Sequence, residues 1–427
     1  MGQTYQLYIA MLKEFYGSTF QETFNNENML KKYLEESEKV FDGLRVNYPV
    51  HTARNSGIGA RAEGAPLPTA GYQGYDSVYV TAAYLYGRIN LTGQAMAASK
   101  KTAFAEAMGI EMEGVKTDLM FDVGRMCYGE GLGVLGRSYN TNSCTAINLS
   151  NQYAAPGNPG ARFLDAGQLV DIGSAGNPDA LTPTGPLTVS SVTISTNSGT
   201  VYDVVNLGGT DGTSVMTTDS FVFSVCAGGP GIELKGLRAM IDDQTATNCY
   251  GFTGGFYNND TIFNVDRNTV AGWNSYVDQN SGVERLINNT LLQRAESRAV
   301  KKGGKKINLY FGEYDVVDAF LDSVAGDRRF NTKNFDAGVD TLTFNGKTMV
   351  KDLNAPYNEI YGLNSDAIKW YTLLPFGFDD LDGSVLKNVS GYDKHEAFIK
   401  GYMQLAPGED CAPNSCLVVR DIKTNIV

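Results

Sequence analysis

The sequence predicts an α+β protein carrying an inserted all-β domain, and three observations support this. Phe104, Met108, Met112, Val115, Leu119, Val123 and Met126 recur at intervals of three and four, the pattern of one long helix with a single buried face. Between Arg162 and Lys235 there is no Lys or Arg, only short alternating runs of Thr, Ser, Gly, Val and Asp. Elsewhere, strand-like and helix-like segments of ordinary length are mixed. At 427 residues the chain exceeds what one hydrophobic core usually organises, so several domains or a large insertion are expected.

Taken in order, residues 1–50 read as an arm holding one amphipathic helix. Leu30, Tyr33, Leu34, Val40, Phe41 and Leu44 fall near helical spacing, and Gly43 helps to end it. Residues 45–74 are dense in Gly and Pro, which argues for extended chain. From Tyr75 the period becomes two, with Val78, Val80, Ala82, Tyr84 and Tyr86 on one strand face, so 51–91 form a long β excursion. The long helix runs from about Thr92 to about Cys127 within a segment 92–136. Its Gly109, Gly114 and Gly124 cost roughly 1 kcal/mol each against Ala, so tertiary packing must hold it.

The insertion, 137–236, offers strands at 168–172, 187–194, 201–205 and 220–225, separated by Gly and Pro turns as in a small barrel or sandwich. Residues 237–365 are mixed. A helix over 284–300 aligns Ile287, Leu291, Ala295 and Ala299; a strand over 307–311 and a helix over 313–324 follow. Two strands, 341–344 and 347–351, flank Asn345-Gly346, a strong hairpin signal. Residues 366–427 close the chain with a helix over 392–405 and a strand over 417–422.

Composition excludes several functions. A net charge of -12 repels nucleic acid, because tight DNA binding needs clustered Lys and Arg to displace counterions. The first twenty residues carry Lys13 and Glu14 and show no basic leader followed by an apolar run, and no segment approaches membrane-spanning length. Six dispersed cysteines, at 127, 144, 226, 249, 411 and 416, read as free thiols of a reducing compartment.

Motifs for chemistry are weak. His51 and His395 are too few for a His-based metal site or a nucleophile and base pair. Gly131 to Gly136 matches G-x-G-x-x-G but follows a helix rather than a strand, so it reads as a turn leaving the helix. Asp379, Asp380, Asp382 and Gly383 mimic part of a calcium loop whose first and twelfth positions are Phe378 and Val389, which rules it out. Lys301, Lys302, Lys305 and Lys306 suit a helix C-terminus through the macrodipole. No catalytic residue, cofactor site or metal site is expected.

The order of arm, β excursion, long helix and α/β body with an insertion resembles the major capsid proteins of tailed double-stranded DNA phages with the Hong Kong 97-type fold. The most specific stretch is Arg54-Asn55-Ser56-Gly57-Ile58-Gly59-Ala60-Arg61-Ala62-Glu63-Gly64 through Leu67-Pro68 and Tyr75 to Leu91, similar to that family's extended loop running into its spine helix. Gly236-Leu237-Arg238, Asp327-Arg328-Arg329-Phe330 and Phe344-Asn345-Gly346-Lys347 resemble parts of its axial domain.

The resemblance implies a self-assembling shell subunit rather than an enzyme, forming hexamers and pentamers in an icosahedral head around DNA. It implies an arm (1–50), an extended loop (51–91), a spine helix (92–136), an inserted domain (137–236), an axial domain (237–365) and returning peripheral strands (366–427). Arg54, Arg61, Glu63, Tyr84, Tyr86 and Arg88 become candidate intersubunit contacts. There is no Lys between Lys39 and Lys100, so the family founder's covalent cross-link from an extended-loop lysine is not available. Only about 90 residues precede the helix, so a separate scaffolding protein is expected, together with a portal. Packaged DNA would lie nearby without sequence-specific contact, the particle being assembled in the host bacterial cytoplasm. The fold-sharing alternative is an encapsulin-like compartment; a phage tail or receptor-binding protein is the other.

Overall fold

The computed structural model describes residues 24–26, 28–94, 101–138, 142–143, 146–150, 160–174, 177–181, 186–197, 200–208, 215–216, 220–225, 231–243, 261–324, 342–379, 385–409 and 412–424. Met1 to Phe20, the side chains of Phe104 and Met108, the 327–330 motif, Asp380, Asp382, Gly383 and four of the cysteines (144, 226, 249 and 411) lie outside them.

Helix α1 spans only Met29–Tyr33, with the Asn28 side chain accepting from Lys31 N. The arm helix expected to reach Gly43 therefore stops ten residues early. Glu36 bridges instead to Trp370, and Val40 and Leu44 are exposed. Strand pairing to the sheet outbids the apolar spacing, and of its second half only Phe41 packs against the core. Ahead of it, Phe24 packs edge-on against Trp370 and Phe376, fastening the arm to the body.

Strands β1 (Arg45–Ala53) and β2 (Gly74–Thr81) form an antiparallel hairpin, and β3 (Ala83–Thr92) leaves it for another sheet. The change of sheet at Ala82 flips the buried face: Val78 and Val80 are buried, then Ala83, Leu85 and Ile89. Tyr84 and Tyr86 therefore do not continue the Val78–Val80 face but point away from the core, a correction to the two-fold reading.

Helix α2 spans Lys101–Tyr128, and Met112, Leu119 and Val123 are buried with Val115 and Met126 half-buried, as the stripe predicts. It lies so close to β3 that a Cβ on Gly87 would sit 3.0 Å from Val115. Next come β4 (Val134–Ser138), β5 (Asn142–Ser143), β6 (Ala146–Ser150), β7 (Leu169–Ser174), β8 (Asn177–Leu181), β9 (Leu187–Asn197), β10 (Thr200–Gly208), β11 (Val215–Met216) and β12 (Phe221–Ser224). The pairing order β12-β4-β6-β10-β9-β7 returns to β12, closing a six-stranded antiparallel barrel with β8 outside on β7. Leu135, Ile147, Leu149, Val170, Ile172, Val189, Val205 and Val222 fill it. Closure removes the exposed edges that an open sheet of this composition would present.

After α3 (Leu237–Met240) and the short pair β13 (Thr261–Ile262) and β14 (Val265–Asp266) come β15 (Tyr276–Asp278), α4 (Asn289–Gly303), β16 (Leu309–Gly312), α5 (Tyr314–Val324), β17 (Leu342–Phe344), β18 (Lys347–Lys351) and β19 (Ile360–Leu363). The chain ends in β20 (Ile368–Phe378), β21 (Lys387–Asn388), β22 (Lys394–Pro407) and β23 (Leu417–Val419). A six-stranded sheet runs β15-β23-β19-β16-β18-β17. Its two faces enter different cores. Tyr310, Met349, Ile360, Leu417 and Val419 meet Leu292, Ala295 and Ala299 of α4 and Val316, Val317 and Phe320 of α5. Phe311, Val350, Tyr361 and Val418 face the central core shared with α2, α3 and the hairpin base. The β17–β18 turn is built on Asn345 (φ 49) and Gly346 (φ 76), as the Asn-Gly pair predicts.

The helix expected over 392–405 is instead the 14-residue strand β22, the centre of a four-stranded sheet flanked by β3 on one side and β20 and β21 on the other. His395 thus lies on a strand, opposite Leu91 and Asn388. Odd positions Ala397, Ile399, Gly401, Met403 and Leu405 turn inward. Phe398, Tyr402 and Leu405 sit at 4 and 3 spacing and imitate a helical stripe, which hides the two-fold alternation beneath it.

Candidate functional site: the projecting hairpin and its flanking sheet

The hairpin is rooted at one end and bare at the other. In the root, Val46 pairs with Val80 and Tyr48 with Val78, all buried. Tyr48 stacks on Tyr371 and donates its hydroxyl to Pro407 O, while Tyr79 N donates to Phe263 O at 3.0 Å. Beyond His51, which meets Tyr75 edge-on, the strands leave the core, and residues 54–73 form a tip without regular structure.

The tip is pinched rather than slack. Asn55 Oδ1 accepts from Gly57 N at 2.7 Å, and a Cβ on Gly71 would lie 2.3 Å from Ser56 Oγ and 3.0 Å from Gly57 N. A larger residue there would have to displace the Ser56 and Asn55 side chains and crowd the Gly57 backbone. Outward it presents Ile58, Leu67 (87% exposed), Tyr72 (93%) and Tyr75. Arg54, Arg61 and Glu63 stand exposed around them, and none forms an ion pair with another described residue.

The other three candidates sit on the outer face of the β3–β22 sheet. Tyr84 meets Tyr402 edge-on at 4.9 Å, and the hydroxyls of Tyr86 and Tyr402 lie 3.2 Å apart. Arg88 is ion-paired within the chain to Glu396 on the neighbouring strand and lies over the Phe398 ring. Nearby, Lys387 and Lys400 bind the Asp379 carboxylate at 2.7 and 2.6 Å and hold it below the usual carboxylate range through those hydrogen bonds. The structure therefore divides the six candidates into two groups, tip and sheet face. Spacing alone identified neither Tyr402, which joins the two tyrosines across strands, nor the apolar rank Ile58, Leu67 and Tyr72.

Beneath these surfaces lies a buried ion network. Arg238 Nε binds Glu130 at 2.8 Å and its other end binds Glu359, which also meets Arg420; Arg125 binds Glu233 by two hydrogen bonds of 3.1 and 2.8 Å. Burial pushes the Glu130 carboxyl up to about 7, opposed by Arg238, and raises Asp242, opposed by Arg420. These groups tie the end of α2 to α3 and the six-stranded sheet, and they are filled in by packed side chains. Burial also pushes the Cys127 thiol up to about 12, which makes it a poor nucleophile.

The remaining motifs have structural homes. The Gly131–Gly136 run carries the chain from α2 into β4, and Lys302 Nζ donates to Ser275 O at the end of α4. Among the described residues no group of three or more His, Cys, Asp or Glu could hold a metal ion, and no helix is long and apolar enough to cross a membrane.

No protein-family model matches the sequence, and no curated protein matches it. Solved structures do. A chain of the cyanophage A-1(L) capsid asymmetric unit matches with a TM-score of 0.53 at 12% identity, over 93% of each chain. The capsid of an empty GTA particle matches with a TM-score of 0.45 at 7% identity, over 93% of this chain and 91% of that one. The SrpI encapsulin of Synechococcus elongatus matches with a TM-score of 0.27 at 11% identity, over 35% of this chain and 54% of that one. Of these, the cyanophage chain, matched over 93% of both lengths, is the one near enough to define the fold. The chain has the Hong Kong 97-type capsid fold.

Proposed function

We propose that this chain is the major capsid protein of a tailed phage, assembling with copies of itself into the shell of the head. The observation that carries the reading is the likeness to the cyanophage capsid chain along almost the whole length of both. The hairpin supports it physically. Ile58, Leu67, Tyr72 and Tyr75 are held out on an arm that buries none of them within the chain, and clustered large exposed apolar groups mark an interaction surface. In this reading Arg54, Arg61 and Glu63 ring that contact, and Tyr84, Tyr86 and Arg88 meet a neighbour over the β3–β22 sheet.

The same reading makes α2 the spine helix, the β3–β22 sheet the peripheral domain, the six-stranded sheet with α4 and α5 the axial domain, and the barrel an outward decoration. Hexamers and pentamers, a scaffolding protein, a portal and enclosed DNA are the partners it entails, and the phage head its location. Electron microscopy of the chain expressed alone and with its neighbouring genes tests it: closed shells or ring-shaped capsomers are expected, and monomers under both conditions would overturn it. A density map with the barrel against the inner wall would overturn the outward placement alone.

A further inference from the structure

Helices α4 and α5 lie side by side on one face of the six-stranded sheet, but over opposite edges. α4 packs on β15 and β23, and α5 packs on β18 towards β17. Their outer surfaces carry opposite charge. On α4, Arg294, Arg298 and Lys301 face out around a shallow hollow of 380 Å3. The one acid of that helix, Glu296, is turned inward and spent on Lys347. On α5 Asp318 and Asp322 are exposed and Asp315, in the first turn, is half-exposed on the same side, with no cation on the helix.

No ion pair joins the two helices within the chain among the described residues. Arg298 is held by the Tyr276 hydroxyl at 2.7 Å and Asp318 by Lys351 at 2.7 Å. Arg294, Lys301, Asp315 and Asp322 have no ion-pair partner among the described residues.

The spacings match. Arg294, Arg298 and Lys301 are separated by four and three residues; Asp322, Asp318 and Asp315, read backwards, are also separated by four and three. Two antiparallel helices in contact would set Arg294 against Asp322, Arg298 against Asp318 and Lys301 against Asp315. At 1.5 Å rise per residue the three charges of each helix then fall at about 0, 6 and 10.5 Å along the axis on both sides. Antiparallel alignment also opposes the helix dipoles favourably. A parallel arrangement would put the central pair out of step.

We propose that α4 of one copy docks antiparallel against α5 of the next, in a head-to-tail contact that repeats around a capsomer ring; this deepens the shell reading and rests on it. Two different, complementary patches meeting across one contact give a heterologous interface, and such an interface closes into a ring when its rotation divides a full turn. The ion pairs are solvent-exposed, so they set register and partner choice, and salt weakens them.

The test uses the four charges without intrachain ion pairs. The full chain is made with Arg294→Glu and Lys301→Glu, with Asp315→Lys and Asp322→Lys, and with all four. Folding is followed by circular dichroism, and rings and shells by sedimentation and electron microscopy. Each double variant is expected to stay folded and to lose assembly by about tenfold or more, because like charges now face each other. The fourfold variant is expected to recover it.

Mixing the two double variants is expected to restore assembly as even-membered rings only, since an alternating arrangement cannot close around five positions. If either double variant fails to fold, loss of wild-type capsomers on raising salt tests the same contact. Wild-type assembly together with undiminished assembly of the folded double variants, or salt-insensitive capsomers, overturns this contact and leaves the shell reading standing. A wild-type chain that forms neither rings nor shells overturns both.

Discussion

At the scale of single residues, the charges that matter most to stability are the ones the core hides. Arg238 is 1% exposed and bonded to both Glu130 and Glu359, with Arg420 beside the latter. Truncating one partner of a buried pair leaves the other charge without water or counter-charge. Arg238→Ala should therefore cost about 3–5 kcal/mol, read as a shift in the urea midpoint of the folded subunit. A loss under about 1 kcal/mol would mean that the network is solvated.

Glu130 adds a pH dependence whose sign follows from its direction. Burial lifts its carboxyl from 4.5 to about 7, so between those values the folded chain keeps a proton that the unfolded chain has lost. Stability contributed through this group therefore falls as pH rises across that window. Glu130→Gln, which keeps the acceptor for Arg238, should flatten that fall: relative to wild type, its melting temperature should gain more at pH 8 than at pH 5. Equal shifts at both would refute the assignment. The sequence did single out Gly236-Leu237-Arg238 as a unit, but nothing in its spacing indicated that Glu359 and Arg420, more than a hundred residues later, would meet it.

At the scale of elements, legibility followed burial on one face. The stripe on α2 and the Asn-Gly turn of β17–β18 could be read because a single face, or a single backbone demand, fixed the residue types. The stripe on α4 holds at Ile287, Ala295 and Ala299, all buried, with Leu292 buried and Leu291 half-buried against the same core. The arm and β22 were misread because apolar residues there happened to fall at helical intervals while their backbone paired with strands.

The hairpin tip makes the strongest element-scale prediction. A side chain on Gly71 would press on the Ser56 and Asn55 side chains and crowd the Gly57 backbone, so the branched Gly71→Val should spread the tip without disturbing the rooted pairs Val46–Val80 and Tyr48–Val78. Circular dichroism and melting should be nearly unchanged, while shell yield under assembling conditions falls severalfold. A folded Gly71→Val chain that assembles normally would show that the tip's shape is not part of the contact.

At the scale of the whole molecule, the barrel is a closed unit spliced between α2 and α3. Its two entry strands are neighbours: Ser224 N donates to Gly133 O at 2.8 Å, so the chain leaves where it entered. Its core is separate from those of the two large sheets. Among the described residues it meets the body through contacts such as Phe121 with Phe163 and Arg162 with Ala355 O and the Tyr357 ring. Replacing residues 134–223 by a two-residue linker should leave a cooperatively folding body, with a loss of about 1–3 kcal/mol from those contacts. A molten or insoluble product would show that the barrel is needed to complete the central core.

By itself the sequence determined the elements whose local chemistry is one-sided: the long helix, the nearly cation-free insertion of short strands, the Asn-Gly hairpin and the glycine-rich excursion. It also determined the order in which they come, and that order carried the resemblance to the capsid fold. Only the tertiary structure decided which strands share a sheet, that Tyr84 and Tyr86 face away from Val78 and Val80, that 394–407 is the central strand of a sheet, and that the cations of α4 and the acids of α5 lie on two helices covering the same sheet face. Those facts depend on partners far away in the chain, and periodicity records only what a segment's own neighbours along the backbone require.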